Sequence, residues 1–192
     1  PGALTIDGNL NLQSINIPGQ FPNPTASVSI ETNDGIGSIT LGVSSTTLDV
    51  AIQTNGTALT TVNLNQLTSV GRYLDMNNAA AHDVSATANV NLSALTTTAG
   101  RLRFVRSVNT LNIGNLISVG TDGALTATNR TFTFQRNAIA DLDATFPAFQ
   151  SIGGNLSVTN NTNLSQCCII PCKLVVAGTT TVSANTGNCA TL

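Results

Sequence analysis

Four cysteines, Cys167, Cys168, Cys172 and Cys189, crowd towards the carboxyl end of this chain of 192 residues. Thiols at such density either hold a metal or close disulfides. A structural zinc site draws on Cys-x2-Cys pairs. The pattern here is Cys-Cys-x3-Cys with a distant fourth, and adjacent cysteines rarely ligate one ion. Two disulfides are therefore the expectation, with Cys167 and Cys168 taking Cys172 and Cys189 in an order the spacing leaves open. Bridges of that kind imply an oxidising compartment.

The titratable groups point away from catalysis. His82 is the single histidine, next to Asp83 in a polar stretch, and no nucleophile stands near it in sequence. Asp141 and Asp143, with Asp122, could form a carboxylate pair for glycoside chemistry. Parallel β-helices that cleave polysaccharides are usually longer and gather acids and bases on one face, whereas these nine acids are dispersed. A calcium site at Asp141 and Asp143 lacks a supporting run of oxygen ligands. The reading is a protein that is not an enzyme, with no cofactor and no metal. Arg101, Arg103 and Arg106 flank Leu102 and Phe104 as the one local basic patch. Alternation puts Arg101 and Arg103 on one outward face, available to an anionic glycan or to a second subunit.

These residues sit in a chain that is short of charge. Only 8% of residues are charged, against about a quarter in an average globular protein, so solubility must come from hydroxyls and amides. The net charge of −2 and the scattered basic residues argue against nucleic acid. No apolar run approaches the ~20 residues needed to cross a bilayer, so membrane insertion is not expected. The chain starts at Pro1 and reads as a mature or trimmed product. Thr, Val and Ile favour strands, and the Asn and Gly between them favour turns.

The element that repeats is a short strand. Leu67-Thr-Ser-Val-Gly-Arg-Tyr-Leu-Asp-Met76 returns as Phe149-Gln-Ser-Ile-Gly-Gly-Asn-Leu-Ser-Val158, with looser copies over 95–104 and 116–127. Self-similarity of this sort marks a solenoid, one coil per repeat. Alternating apolar pairs open the coils: Leu4/Ile6, Val28/Ile30, Leu48/Val50, Leu74/Met76, Leu102/Phe104, Leu125/Ala127, Leu156/Val158 and Thr180/Val182. Period two with one apolar face is a half-buried strand. The steps between pairs give coils of roughly 20–31 residues. A second apolar set (Ile15/Ile17, Val62/Leu64, Val90/Leu92) and a third (Leu67/Val70, Leu116/Val119, Phe149/Ile152) predict three inward segments per coil.

Glycines 71, 100, 120 and 153 are expected at one corner of the coil. Asn9, Asn77, Asn129 and Asn160 are expected to form an internal ladder. Residues 18–24 read as a loop, and 79–89 and 129–147 as insertions. Thr-x-Thr pairs at 126/128 and 131/133 raise ice binding as a minor alternative, against which the unequal coils argue. Sequons occur at Asn55, Asn91, Asn129, Asn155, Asn160 and Asn163.

Ser151-Ile-Gly-Gly-Asn-Leu-Ser-Val-Thr-Asn-Asn-Thr-Asn-Leu164 resembles the repeat unit of receptor L-domain and leucine-rich-repeat-like surface proteins secreted by Gram-negative bacteria. The stretch from Leu164 to Cys189 is similar to the Cys-containing cap that follows such repeats. The resemblance covers 149–192 well, 67–128 less closely and 1–66 weakly. It implies a secreted or cell-surface role in binding or structure, and the family has no common catalytic residues to carry over.

The expectation is an all-β, right-handed parallel β-solenoid forming one domain over 1–192. Its coils fill 1–163, and a disulfide-rich terminal coil or cap fills 164–192. The expected role is that of an extracellular structural or adhesive module stacking head to tail into a filament through an uncapped first coil at Leu4 and Ile6. A monomeric module binding a glycan or surface, through the loops and Arg101 and Arg103, is the alternative. A polysaccharide-degrading enzyme is a minor one.

Overall fold

The computed structural model describes residues 2–21, 25–77, 88–164 and 174–186. Its strands in chain order are β1 (Leu4–Asp7), β2 (Ser14–Gln20), β3 (Val28–Glu31), β4 (Ser38–Gly42), β5 (Ser45–Thr46), β6 (Val50–Gln53) and β7 (Thr61–Asn63). There follow β8 (Ser69–Val70), β9 (Leu74–Asn77), β10 (Ala88–Asn91), β11 (Thr97–Thr98), β12 (Leu102–Val105), β13 (Val108–Asn112) and β14 (Ser118–Val119). The last are β15 (Phe132–Gln135), β16 (Ser151–Ile152), β17 (Leu156–Thr159), β18 (Val175–Val176) and β19 (Thr180–Ser183). A 3-10 turn spans Ala127–Arg130, and a single α-helical turn, α1, spans Leu142–Thr145.

These strands form three parallel sheets, of which sheet A spans all eight coils. Sheet A stacks eight strands, β1-β3-β6-β9-β12-β15-β17-β19. Sheet B stacks β2-β4-β7-β10-β13, and sheet C stacks β5-β8-β11-β14-β16-β18. Strands that return after two or three steps to the same sheet make a β-solenoid: the chain winds, and each coil hydrogen-bonds to the next. At ~4.8 Å per rung, eight rungs make a rod roughly 40 Å long.

In-register pairing builds the core in columns. Leu4, Val28, Val50, Leu74, Leu102, Phe132 and Leu156 lie side by side, as do Ile6, Ile30, Ile52, Met76, Phe104, Phe134 and Val158. Most of these side chains are buried, and sheets B and C add Ile39, Val62, Val90, Val70, Val119 and Ile152.

Two of the eight expected pairs are corrected. The third coil uses Val50/Ile52 in place of Leu48/Val50, and Leu48 is exposed. The sixth uses Phe132/Phe134 in place of Leu125/Ala127, and Ala127 sits in the 3-10 turn. Alternation at 48–52 and 125–134 allows either frame, and the register with neighbouring coils selects one. With the frames corrected, equivalent positions are 22 to 30 residues apart, a narrower range than the sequence suggested. The supposed insertion at 129–147 straddles two excursions, because β15 lies inside it. One covers 120–131. The other passes through α1, at the place in the coil where earlier turns have a strand of sheet B. Phe146 and Phe149 from this second excursion meet Phe132 edge to face, with ring centroids 5.4 and 5.6 Å away.

The internal ladder exists, built from different residues. Just after seven of the eight strands of sheet A the backbone turns through positive φ, at Gly8, Thr32, Thr54, Arg106, Arg136, Asn160 and Ala184; the residue after β9 lies outside the described ones. For the non-glycine residues that conformation costs about 1 kcal/mol each. The next residue turns inward and bonds across coils. Asn33, Asn55, Asn137, Asn161 and Asn185 are all buried. Asn161 donates through Nδ2 to the Phe134 carbonyl at 3.0 Å and to Asn185 Oδ1 at 2.9 Å, while its Oδ1 accepts the Asn137 amide N–H at 2.9 Å. Asn33, Asn55 and Asn9 repeat this pattern at the other end. Ser107 takes the position in one coil, its hydroxyl donating to the Met76 carbonyl. Of the expected rungs only Asn9 belongs. Asn77 ends β9, Asn129 lies in the 3-10 turn, and Asn160 supplies positive φ, not the inward amide.

The glycine corner holds in part. Gly71, Gly120 and Gly153 each follow a strand of sheet C, while Gly100 stands one residue further on. A Cβ on Gly153 would lie 2.0 Å from the Gly120 carbonyl oxygen, so close approach of the coils excludes a side chain.

Two outcomes follow. Asn161→Leu leaves the Phe134 carbonyl and the Asn137 amide unpaired, and urea unfolding followed by circular dichroism should show a loss of about 3 kcal/mol. Asn9→Leu, at the exposed end of the ladder, should cost under about 1 kcal/mol in the same assay. Gly153→Ala should lower the melting temperature by several degrees, whereas Gly123→Ala, with open space around it, should leave it unchanged within error.

Candidate functional site

Each sheet shows solvent one outward face. On sheet A that face mixes hydroxyls with Asp7, Glu31, Asp75 and Arg103. On sheet B the outward columns are Ser14, Ser38, Thr61, Asn89 and Thr110, and beside them Asn16, Thr40, Asn63, Asn91 and Asn112. Sheet C shows Ser45, Ser69, Thr97, Ser118 and Ser151. Sheets B and C thus have no charged residue in these columns, and the long strands of sheet B form a shallow open groove over three coils.

The charged groups concentrate where sheet C hands over to sheet A. Asp49, Tyr73 and Arg101 occupy successive rungs just ahead of β6, β9 and β12. Arg72 donates to Asp49 through Nε at 2.9 Å and through Nη2, and Arg101 does the same to Asp75. Both guanidinium groups lie over the Tyr73 ring, at 5.1 and 4.8 Å from its centroid. Hydrogen bonding to Asp49 and to Asp75, opposed by desolvation, raises the pKa of Arg72 and of Arg101 above the ordinary arginine value. A raised arginine pKa gives stability that is complete below the unfolded value and is lost only in strong alkali. The cluster ties three coils together.

The expected site residues separate accordingly. Arg101 and Arg103 do point outward on alternate positions, but Arg101 is engaged with Asp75, which is only 6% exposed. Arg103 stands on the face of sheet A beside Asp75 and Thr133 in register. Asp141 accepts the Ala144 amide as the N-cap of α1, and Asp122 accepts the Ala124 amide. Those roles are local and structural. The Thr126 and Thr128 hydroxyls bond each other, and that of Thr131 bonds the backbone. Asn55 of the first sequon is buried in the ladder. Leu4 and Ile6 lie on β1, the edge strand of sheet A, and are partly buried. His82, Asp83, Cys167, Cys168, Cys172 and Cys189 fall outside the described residues.

The chain matches no protein-family model, no curated protein and no solved structure. It is a β-solenoid repeat protein. Among the described residues no helix is long and apolar enough to cross a membrane.

Two features escaped the sequence reading. The Asp49–Arg72–Tyr73–Arg101–Asp75 cluster becomes visible only when the register places residues 23 to 26 apart on adjacent rungs. The uncharged faces were legible as composition, but not as columns.

Replacing Arg101 by Met strands a buried Asp75 carboxylate. It should cost about 2 kcal/mol in denaturant unfolding, against little change for Arg103→Met.

Proposed function

We propose that this chain is a non-enzymatic structural or adhesive module, secreted or displayed at a cell surface. It resembles receptor L-domain and leucine-rich-repeat-like proteins, is wound right-handed and is closed at its carboxyl end by cystines. Parallel crossovers are almost always right-handed, which supports the winding. One observation carries the functional reading. Asp122 and Asp141, put forward for chemistry, each hold a local backbone amide, while two of the three faces offer in-register hydroxyls and amides free of charge. Such a rod acts by geometry. It keeps many weak hydrogen-bonding groups at fixed spacing, so that an extended partner meets all of them without ordering them first.

The first coil favours a second reading, in which copies stack. Leu10 is 69% exposed and Ile17 39%, and Leu4 and Ile6 are only partly covered. A strand edge above such side chains templates another strand, and head-to-tail contact between copies propagates as a filament. The edge of sheet B is blunted by Pro18 and Gly19 within β2, where the register with β4 shifts, so stacking would proceed through sheet A.

Light scattering after size exclusion, with negative-stain electron microscopy, separates the readings. Stacking predicts oligomers or fibres that a Leu4→Glu, Ile6→Glu double variant reduces to monomers. A monomer of about 20 kDa at all concentrations would remove the filament and leave the binding rod.

A further inference from the structure

We infer that the groove on sheet B is a binding site for an extended, uncharged polysaccharide chain. The inference rests on the adhesive reading above and names its surface and its ligand class.

The groove is built by β7, β10 and β13, with Thr40 of β4 at its margin. Thr61, Asn89 and Thr110 form one outward column and Asn63, Asn91 and Asn112 the other. Thr61, Asn89, Thr110 and Asn112 are exposed, and Asn63 and Asn91 are half-buried. Asn89 Oδ1 already accepts from Thr110, and Asn91 Oδ1 from the Ser93 amide, so these two side chains offer a ligand their Nδ2 donors, while Asn112 offers a donor and an acceptor and a hydroxyl can do either. Such a row of donors and acceptors suits the hydroxyls of a sugar ring. Adjacent rungs are ~4.8 Å apart, close to the advance of one sugar residue along an extended chain, so a polymer lying along the rod axis would meet the same groups at each step.

Charge decides the ligand class. Neither column contains Asp, Glu, Lys or Arg over all five strands of the sheet. An anionic polymer would lose hydration without meeting a cation, whereas a neutral polyol exchanges water hydrogen bonds for protein ones. A further observation concerns an atom at the base of the groove. Asn63 Oδ1 is buried and has no hydrogen-bond partner. An orphaned acceptor beneath a polar groove calls for a donor, and a small turn of that amide would present it to a ligand hydroxyl.

Sheet C also shows an uncharged hydroxyl column, and it is the weaker candidate. Its strands are two residues long. The Thr97 and Ser118 hydroxyls bond each other, and those of Thr68 and Thr96 in the neighbouring column donate to backbone carbonyls. On sheet B, Asn89 Oδ1 accepts from Thr110 at 2.7 Å and from Asn109 Nδ2 at 3.4 Å, which holds that amide in place, while Thr61 and Asn112 stand exposed at either end of the groove.

The test is native affinity electrophoresis of the whole chain in gels containing a soluble β-1,3-glucan, xylan or galactomannan, with alginate as the anionic counterpart. The expected result is retardation by at least one neutral polymer, unchanged by added salt because no ion pair is formed. Asn112→Glu alone, and Thr61→Glu with Asn112→Glu, both on exposed positions, should weaken the retardation at least tenfold. Arg103→Gln should not change it. Retardation that survives the sheet B variants would overturn the site and leave the adhesive reading standing. So would retardation by alginate that Arg103→Gln abolishes, which would move binding to sheet A. No retardation in any of these gels would overturn this inference together with the binding rod on which it rests, and leave stacking as the remaining role.

Discussion

The parallel register between coils is the constraint on which everything else depends. A coil of 22 to 30 residues has no core of its own; it gains one only when its apolar columns continue those of its neighbours. Once that register is set, three things follow. Side chains of one type stack in lines, the backbone hydrogen bonds run along the rod, and every corner must bring two coils within contact distance. The buried asparagines answer the third requirement. They pair the backbone groups that the positive-φ turn withdraws from the sheet, and the amide–amide contacts pass the register from coil to coil.

Much of this was legible in the residues. The apolar-x-apolar pairs of sheet A gave six of eight rungs, and the buried leucines 67, 95 and 116 stood where a third segment was expected. The two misplaced rungs share a cause. Leu48-Asp-Val50 and Leu125-Thr-Ala127 alternate as well as the true strands do, and only the paired coil on either side distinguishes them. The ladder was expected from asparagines lying after or near the first strand of a coil, which is the right region but not the right position. The true signal was a fixed offset. Asn33, Asn55, Asn137, Asn161 and Asn185 all stand five residues after the first inward residue of their strand, as Asn33 does after Val28.

The charged residues show what a single sequence conceals. Arg101 looked like half of a basic patch because Arg103 and Arg106 were its neighbours along the chain. In the solenoid its effective neighbours are Asp75 and Tyr73, one coil back. Arg106, the third member, provides a positive-φ turn. Local clustering of charge in a repeat protein therefore says little about a charged surface until the repeat length is known.

The excursion over 120–131 has a meaning for how such a molecule can change. It adds length to its coil, yet β15 pairs residue for residue with β12 before it and β17 after it. Length and decoration are separable in this plan: another coil would extend the rod, while a corner segment of different length leaves the rungs in register. A lineage built on this plan can diversify what it displays and keep its scaffold unaltered.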